Sequence, residues 1–196
     1  GTEIFMNICV YGASSNIIDK SFITAVEELG KKMAQRGHTL VYGAGAEGVM
    51  GASARGMTAG GGKIIGITPT FFNVDGMIYD KCTELIRTET MRQRKQLMEE
   101  KSDAFIMAPG GIGTFDEFFE ILTLKQLSRH TKAIAIFNID GYYDNLLALM
   151  QRAIDEKFIR EECLELYKVF DNPDEMLDYI ENYVPVDLNI IHLKNI

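Results

Sequence analysis

A proline and three glycines crowd into five residues, Pro109-Gly110-Gly111-Ile112-Gly113, between an apolar run and an amphipathic one. Asp103 to Ala108 reads as a buried strand, and Thr114 to Leu127 as a helix. Proline has no N–H and stops the strand. Glycine permits unusual backbone angles and puts no Cβ between the chain and a ligand. A glycine turn that opens a helix presents unpaired N–H groups at the positive end of the helix dipole, an arrangement suited to a phosphate. Gly110, Gly111 and Gly113 are therefore candidate ligand contacts, and Thr114 adds a hydroxyl. Asp116 and Glu117 are expected in the first turn, where acids stabilise a helix. A tight turn with a capped helix and no ligand is the plain alternative.

The remaining chain alternates in the same way. Glu3 to Tyr11, His38 to Tyr42, Lys63 to Thr68, Cys82 to Thr88, Lys132 to Asn138 and Tyr167 to Phe170 read as strands. Ala133 to Phe137 is a continuous apolar run, as expected of a parallel strand buried on both faces. Helices are expected at about Asp19–Arg36, Val49–Ala59, Glu89–Ser102, Tyr142–Lys157 and Pro173–Tyr183, with a short helical turn at Glu161–Leu166. Strands alternating with helices imply one α/β domain over residues 1–196, a doubly wound, Rossmann-like parallel sheet with helices on both faces. A C-terminal tail from about 184 to 196 is expected to pack on the domain or on a neighbouring subunit. Ligands in such sheets sit at the carboxyl ends of the strands, so the glycine loops after several strands should gather at one edge.

Two further loops belong to that edge. Gly12-Ala13-Ser14-Ser15-Asn16 follows the first strand; Ser14 and Ser15 can meet a ligand or cap the turn. Gly43-Ala44-Gly45-Ala46-Glu47-Gly48 follows the second, and its small residues allow close approach of a helix or a ligand. Neither loop is GxGxxG, so no dinucleotide site is indicated. Phe71, Phe72 and Met77 can line a base pocket or an interface, or fill the core. Met91, Arg94, Lys95 and Met98 stand at i, i+3, i+4 and i+7 and share one helix face.

The formal net charge of −8 argues against a broad nucleic-acid surface. No apolar segment reaches the ~18–20 residues of a membrane span, and no charged leader precedes an apolar core. Cys9, Cys82 and Cys163 form no CxxC and suit a reducing compartment, so a cytoplasmic location is expected. His38, His130 and His192 are scattered, without metal-ligand spacing, and read as surface or helix-end residues; no metal site is expected.

With these residues in place, the chain resembles the LOG family of cytokinin riboside 5′-monophosphate phosphoribohydrolases, in a bacterial form. The family pattern PGGxGTxxE is matched by Pro109 to Glu117, and MxxRK by Met91-Arg92-Gln93-Arg94-Lys95. The similarity extends to Tyr11-Gly12-Ala13-Ser14-Ser15, to Leu40-Val41-Tyr42-Gly43 with Gly48-Val49-Met50-Gly51, and to Asp140-Gly141-Tyr142-Tyr143. The family has also carried a lysine decarboxylase label, but Lys95 and Lys125 lack a recognisable pyridoxal-phosphate context.

The resemblance implies hydrolysis of the N-glycosidic bond of a nucleoside 5′-monophosphate, AMP or an N6-modified AMP, without a cofactor. Arg94 and Glu117 are then the catalytic pair. Ser14, Gly43, Gly45, Met91, Lys95, Gly110, Gly111, Gly113, Thr114 and Thr123 would bind substrate, with Thr123 a supporting or partner-subunit contact. A homodimer with sites near its interface is implied as well. The alternative is a non-catalytic nucleotide sensor or carrier on the same fold.

Overall fold

The computed structural model describes residues 3–72 and 76–185. Seven strands form one wholly parallel sheet: β1 (Asn7–Tyr11), β2 (Thr39–Tyr42), β3 (Lys63–Pro69), β4 (Glu84–Thr88), β5 (Ala104–Met107), β6 (Ala133–Phe137) and β7 (Lys168–Phe170). Their spatial order is β4-β3-β2-β1-β5-β6-β7. Among the described residues the six helices are α1 (Lys20–Gln35), α2 (Gly48–Ala59), α3 (Met91–Lys101), α4 (Ile112–Gln126), α5 (Asp144–Asp155) and α6 (Pro173–Glu181). The expected α/β sheet is thus present, with short 3-10 turns at Ile139–Gly141 and Glu161–Leu166.

The two faces of the sheet bury separate apolar layers, because side chains alternate along each strand. Ile8, Val10, Leu40, Tyr42 and Ile106 pack against α1, α2 and α6 through Val26, Leu29, Met33, Met57 and Leu177. Cys9, Tyr11, Val41, Phe105 and Met107 pack on the other face with Met98 of α3, Phe118 and Ile121 of α4, and Met150 of α5.

Helix boundaries follow capping chemistry. The Asp19 side chain accepts from the Ser21 N–H at the start of α1. Thr90 and Gln93 form a reciprocal capping box on α3, and Asn172 caps α6 ahead of Pro173. At α4 the expectation needs correction. The helix starts at Ile112 rather than Thr114, so Asp116 and Glu117 fall in its second turn. Gly111 serves as the N-cap residue without any side-chain cap. β1 also begins later than expected, at Asn7, with Ile4 and Phe5 exposed.

The histidine expectation is corrected too. His38 and His130 do follow helix ends but are buried. His38 Nδ1 accepts from the Met6 N–H, and its Nε2 meets Glu181 at 3.2 Å. His130 Nε2 donates to the Ile121 carbonyl at 2.8 Å, and burial holds its pKa down at about 4. Both rings serve main-chain groups that would otherwise lack partners. His192 and most of the C-terminal tail lie outside the described residues; Val184 is exposed.

Helices α1 and α2 are interlocked by glycines. A Cβ at Gly30 would stand 2.3 Å from the Ser53 carbonyl oxygen, and one at Gly56 2.1 Å from that of Glu27. Both obstacles are backbone and cannot swing aside. Gly56→Ala should therefore cost about 1–3 kcal/mol despite the helix propensity of alanine. Thermal unfolding followed by circular dichroism should show Tm lowered by roughly 2–10 °C.

Candidate active site

Strand order reverses between β1 and β5, so the connections leaving their carboxyl ends turn apart and leave a crevice. Its floor is closed by main chain: the Ala13 N–H donates to the Pro109 carbonyl at 3.0 Å, and the Ala108 N–H to that of Tyr11 at 2.8 Å. The resulting cleft is about 600 Å³, within the usual range for small-molecule sites. All three glycine loops reach it, as expected.

The glycine turn after β5 is braced from behind. Tyr142 donates its hydroxyl to the Gly110 carbonyl at 2.5 Å, and Tyr143 to that of Ala108 at 2.6 Å. The first internal helix bond of α4 runs from the Phe115 N–H to the Gly111 carbonyl. The N–H groups of Ile112, Gly113 and Thr114 therefore have no partner within the helix. A Cβ at Gly111 or Gly113 would meet nothing within 4 Å, and neither residue has positive φ. Protein packing therefore does not demand glycine at either position. Gly110 differs, since a Cβ there would run into the Thr114 side chain. Thr114 itself is buried.

Arg94 enters from α3. Its Nε donates to the Ile67 carbonyl at 2.9 Å and its Nη2 to the Gly43 carbonyl at 2.7 Å, across the ends of β3 and β2. A Cβ at Gly43 would stand 1.8 Å from Nη2, so that glycine makes room for the guanidinium. Burial pulls the Arg94 pKa down, against the opposing pull of Glu117. Arginine nonetheless stays charged in proteins.

Glu117 enters from α4, one turn beyond Gly113. Burial drives its pKa up to about 7, against the attraction of Arg94 and with the repulsion of Asp116 adding to the rise. No described residue donates a hydrogen bond to its carboxylate, and the cleft is lined by both Arg94 and Glu117. Lys95 lines the cleft too, but its ammonium is engaged at 2.6 Å from Glu120 and 3.2 Å from Asp116. Those carboxylates raise its pKa.

Ser14 and Ser15 share the lining, and Ser15 Oγ accepts from the Ile17 N–H, so the turn is capped by Ser15 while Ser14 is left to the cleft. Gly43, Gly45 and Met91 are there as expected. The far wall is apolar, with Met50, Phe72, Met77 and Ile78. It is held by an antiparallel bridge between Gly45 and Ile78, flanked by bonds from Ala46 N–H to the Met77 carbonyl and from Tyr79 N–H to that of Ala44. Thr123 is not brought to the cleft; it lies on the exposed side of α4 in a shallow groove with Phe115, Phe119 and Leu124. Arg92, Thr68 and Tyr11 line the cleft without having been singled out as site residues. Tyr11 carried a signal, a hydroxyl ending an otherwise apolar strand.

The family model described as "Possible lysine decarboxylase" matches residues 50–180. The chain is 36% identical over 190 residues to the rice (Oryza sativa subsp. japonica) "Probable cytokinin riboside 5′-monophosphate phosphoribohydrolase LOGL5", covering 97% of this chain and 77% of that protein. It is 36% identical over 181 residues to the Arabidopsis thaliana "Cytokinin riboside 5′-monophosphate phosphoribohydrolase LOG2", covering 92% and 85%. The chain belongs to the LOG family. Among solved structures, the molybdenum cofactor binding protein of Rippkaea orientalis superposes with a TM-score of 0.67 at 20% identity, over 91% of this chain and 96% of that one. At that identity the likeness concerns the fold. The decarboxylase description finds no support in the lysines of this LOG-family chain. Lys95 is held by two acids, while Lys125 is buried with its ammonium donating to the Leu166 carbonyl and the Tyr183 hydroxyl.

The raised Glu117 pKa has a consequence for stability. The unfolded chain releases this proton near the ordinary value of 4.5, whereas the folded protein holds it to about 7. Folding is therefore increasingly opposed as pH rises across that interval. Glu117→Gln removes the opposition. Its Tm should exceed that of the unaltered protein by a margin that grows from pH 5 to pH 8, read by differential scanning calorimetry.

Proposed function

We propose that this protein hydrolyses the N-glycosidic bond of a nucleoside 5′-monophosphate of the AMP type, releasing the free base and ribose 5-phosphate. The observation that carries the reading is Glu117, a carboxyl to which no described residue donates a hydrogen bond, beside the open start of α4 in the cleft that Arg94 also lines. The 5′-phosphate is assigned to the N–H groups of Ile112, Gly113 and Thr114, where the helix dipole and the missing Cβ atoms favour an anion. The ribose then lies by Glu117 and the base against Met50, Phe72, Met77 and Met91.

In this arrangement the bond between ribose C1′ and the base nitrogen breaks, and its electron pair leaves with the base. The transition state carries positive charge on the sugar, as in other glycoside cleavages. Glu117 as carboxylate stabilises that charge and takes a proton from the attacking water. The water oxygen bonds to C1′, and the proton taken up by Glu117 passes through solvent to the departing base, which leaves Glu117 ionised again. Arg94 has five N–H donors, two of them spent on carbonyls, and offers the others to the charge developing on the base. Its high pKa suits electrostatic support rather than proton donation. The preference for an N6 substituent and the place of the reaction in cytokinin production belong to the same proposal. So does a homodimer joined through the exposed side of α4, with Thr123, Phe119 and Ile112.

A carrier that only binds nucleotide needs the glycine turn but not a carboxyl kept available at neutral pH, so Glu117 favours the enzyme. With AMP and an N6-alkylated AMP as substrates, chromatography should show free base and ribose 5-phosphate in equal amounts. Glu117→Gln and Arg94→Ala should each lower kcat by at least about 100-fold, while both variants retain the fold by circular dichroism. kcat/KM should rise with pH to a plateau above about 7, the limb reporting Glu117 ionisation. Recovery of intact nucleotide from the unaltered protein after prolonged incubation would support the carrier instead.

A further inference from the structure

Helix α3 begins Met91-Arg92-Gln93-Arg94-Lys95, with three cations and no acid in its first turn. Positive charge at that end opposes the helix dipole, so the arrangement is unfavourable until something negative answers it. Two of the three cations are answered within the protein. Arg94 donates to the Ile67 and Gly43 carbonyls, and Lys95 meets Glu120 at 2.6 Å and Asp116 at 3.2 Å. Arg92 is different. It is exposed and lines the cleft, and among the described residues no group hydrogen-bonds or ion-pairs with its side chain.

The pairing of Lys95 with α4 fixes where Arg92 stands. α3 leads from β4 into β5, and α4 leaves β5 for β6. The strands are parallel, so both helices run against them and alongside each other in one direction. Met98 of α3 and Phe118 and Ile121 of α4 pack on the same face of the sheet. Lys95 and Asp116 are each the fifth residue of their helix, so the two helices start level. One turn back from Lys95 is Arg92, and one turn back from Asp116 is Gly113. Residues three apart share a helix face, so Arg92 keeps the side of α3 that Lys95 turns to α4. It therefore stands level with the first turn of α4, whose N–H groups at Ile112, Gly113 and Thr114 have no partner within the helix. Ile112, Gly113, Thr114 and Arg92 all line the one cleft.

We propose that Arg92 is the side-chain cation for the substrate's 5′-phosphate, closing from α3 on the oxygens that the start of α4 leaves facing outward. The proposal rests on the phosphate placement given above and adds the residue that makes the site select a phosphorylated sugar. The start of a helix offers only about half a positive charge. A phosphate monoester brings roughly −1.5 to −2 at pH 7, and the ionised Glu117 in the same cleft repels it. A guanidinium supplies a full charge and a planar fork of donors that fits two phosphate oxygens. Neither neighbour is free for this: Arg94 is pinned to the ends of β2 and β3, and Lys95 to two carboxylates.

Arg92→Gln removes the charge, and Arg92→Lys keeps it without the fork. Calorimetry with ribose 5-phosphate reads the contact directly, because this probe has no base and no bond to a base. Arg92→Gln should weaken its binding at least about tenfold, by a factor that shrinks as salt is raised, and Arg92→Lys should fall between. In turnover, KM for AMP should rise about tenfold with kcat within about twofold, since the phosphate is held alike before and during bond breaking. Tm of Arg92→Gln should not fall, because a cation leaves the positive end of α3. An arginine that served the base instead would leave ribose 5-phosphate affinity unchanged, and that result in folded Arg92→Gln overturns the proposal. So does an unaltered protein that does not bind ribose 5-phosphate. An unaltered protein that binds it through Arg92 yet leaves AMP intact would refute the hydrolase reading and uphold this one.

Discussion

The site depends on a constraint set by the sheet. Where strand order reverses between β1 and β5, two chain segments must diverge from adjacent strand ends while still satisfying their own backbone. The bonds from Ala13 to Pro109 and from Ala108 to Tyr11 do this with main chain alone. Every side chain in the crevice is thereby added on a floor that needs none of them. The N–H groups at the start of α4 are left over because a first helical turn has no carbonyl four residues back, while Tyr142 and Tyr143 hold the preceding turn in place through its carbonyls. The positive end of α4 thus faces the crevice before any charged side chain is considered.

Two charged groups are then brought to that crevice at some cost. Arg94 is drawn out of water but rests on two backbone carbonyls, and the glycine at 43 exists to admit it. Glu117 receives no comparable compensation, and its proton affinity rises accordingly. In the proposed reaction a cationic sugar would relieve that cost. Lys95 does a different task, holding Asp116 and Glu120 on α4 to its own helix α3.

Much of this could be read from the amino-acid sequence because it is periodic. The strands and helices lie where apolar runs and caps put them, and the PGGxGTxxE and MxxRK stretches do meet in one cleft. Where the reading failed, the cause was tertiary. The start of α4 was set too late because Gly113 looks like a turn residue, although no neighbour obstructs a helix there. Gly43 lines the cleft as read, and its missing Cβ also makes room for a guanidinium 51 residues away, which no spacing announces. His38 and His130 do follow helix ends, but their burial escapes the sequence because their partners are main-chain groups that no spacing announces. Thr123 follows the helical pattern of Glu117 and Glu120 but points to another surface.

In the proposed function the glycine turn is kept bare for a phosphate and not for protein packing. Gly113 lies inside the first turn of α4 with nothing within 4 Å of where its Cβ would be. Gly113→Ala should therefore stabilise the helix, by up to about 1 kcal/mol, while obstructing an anion at the helix start. Paired calorimetry on that variant decides the claim. The expected result is a Tm equal to or above that of the unaltered protein, together with AMP affinity weakened at least tenfold. Unchanged AMP affinity in a folded Gly113→Ala protein would contradict it.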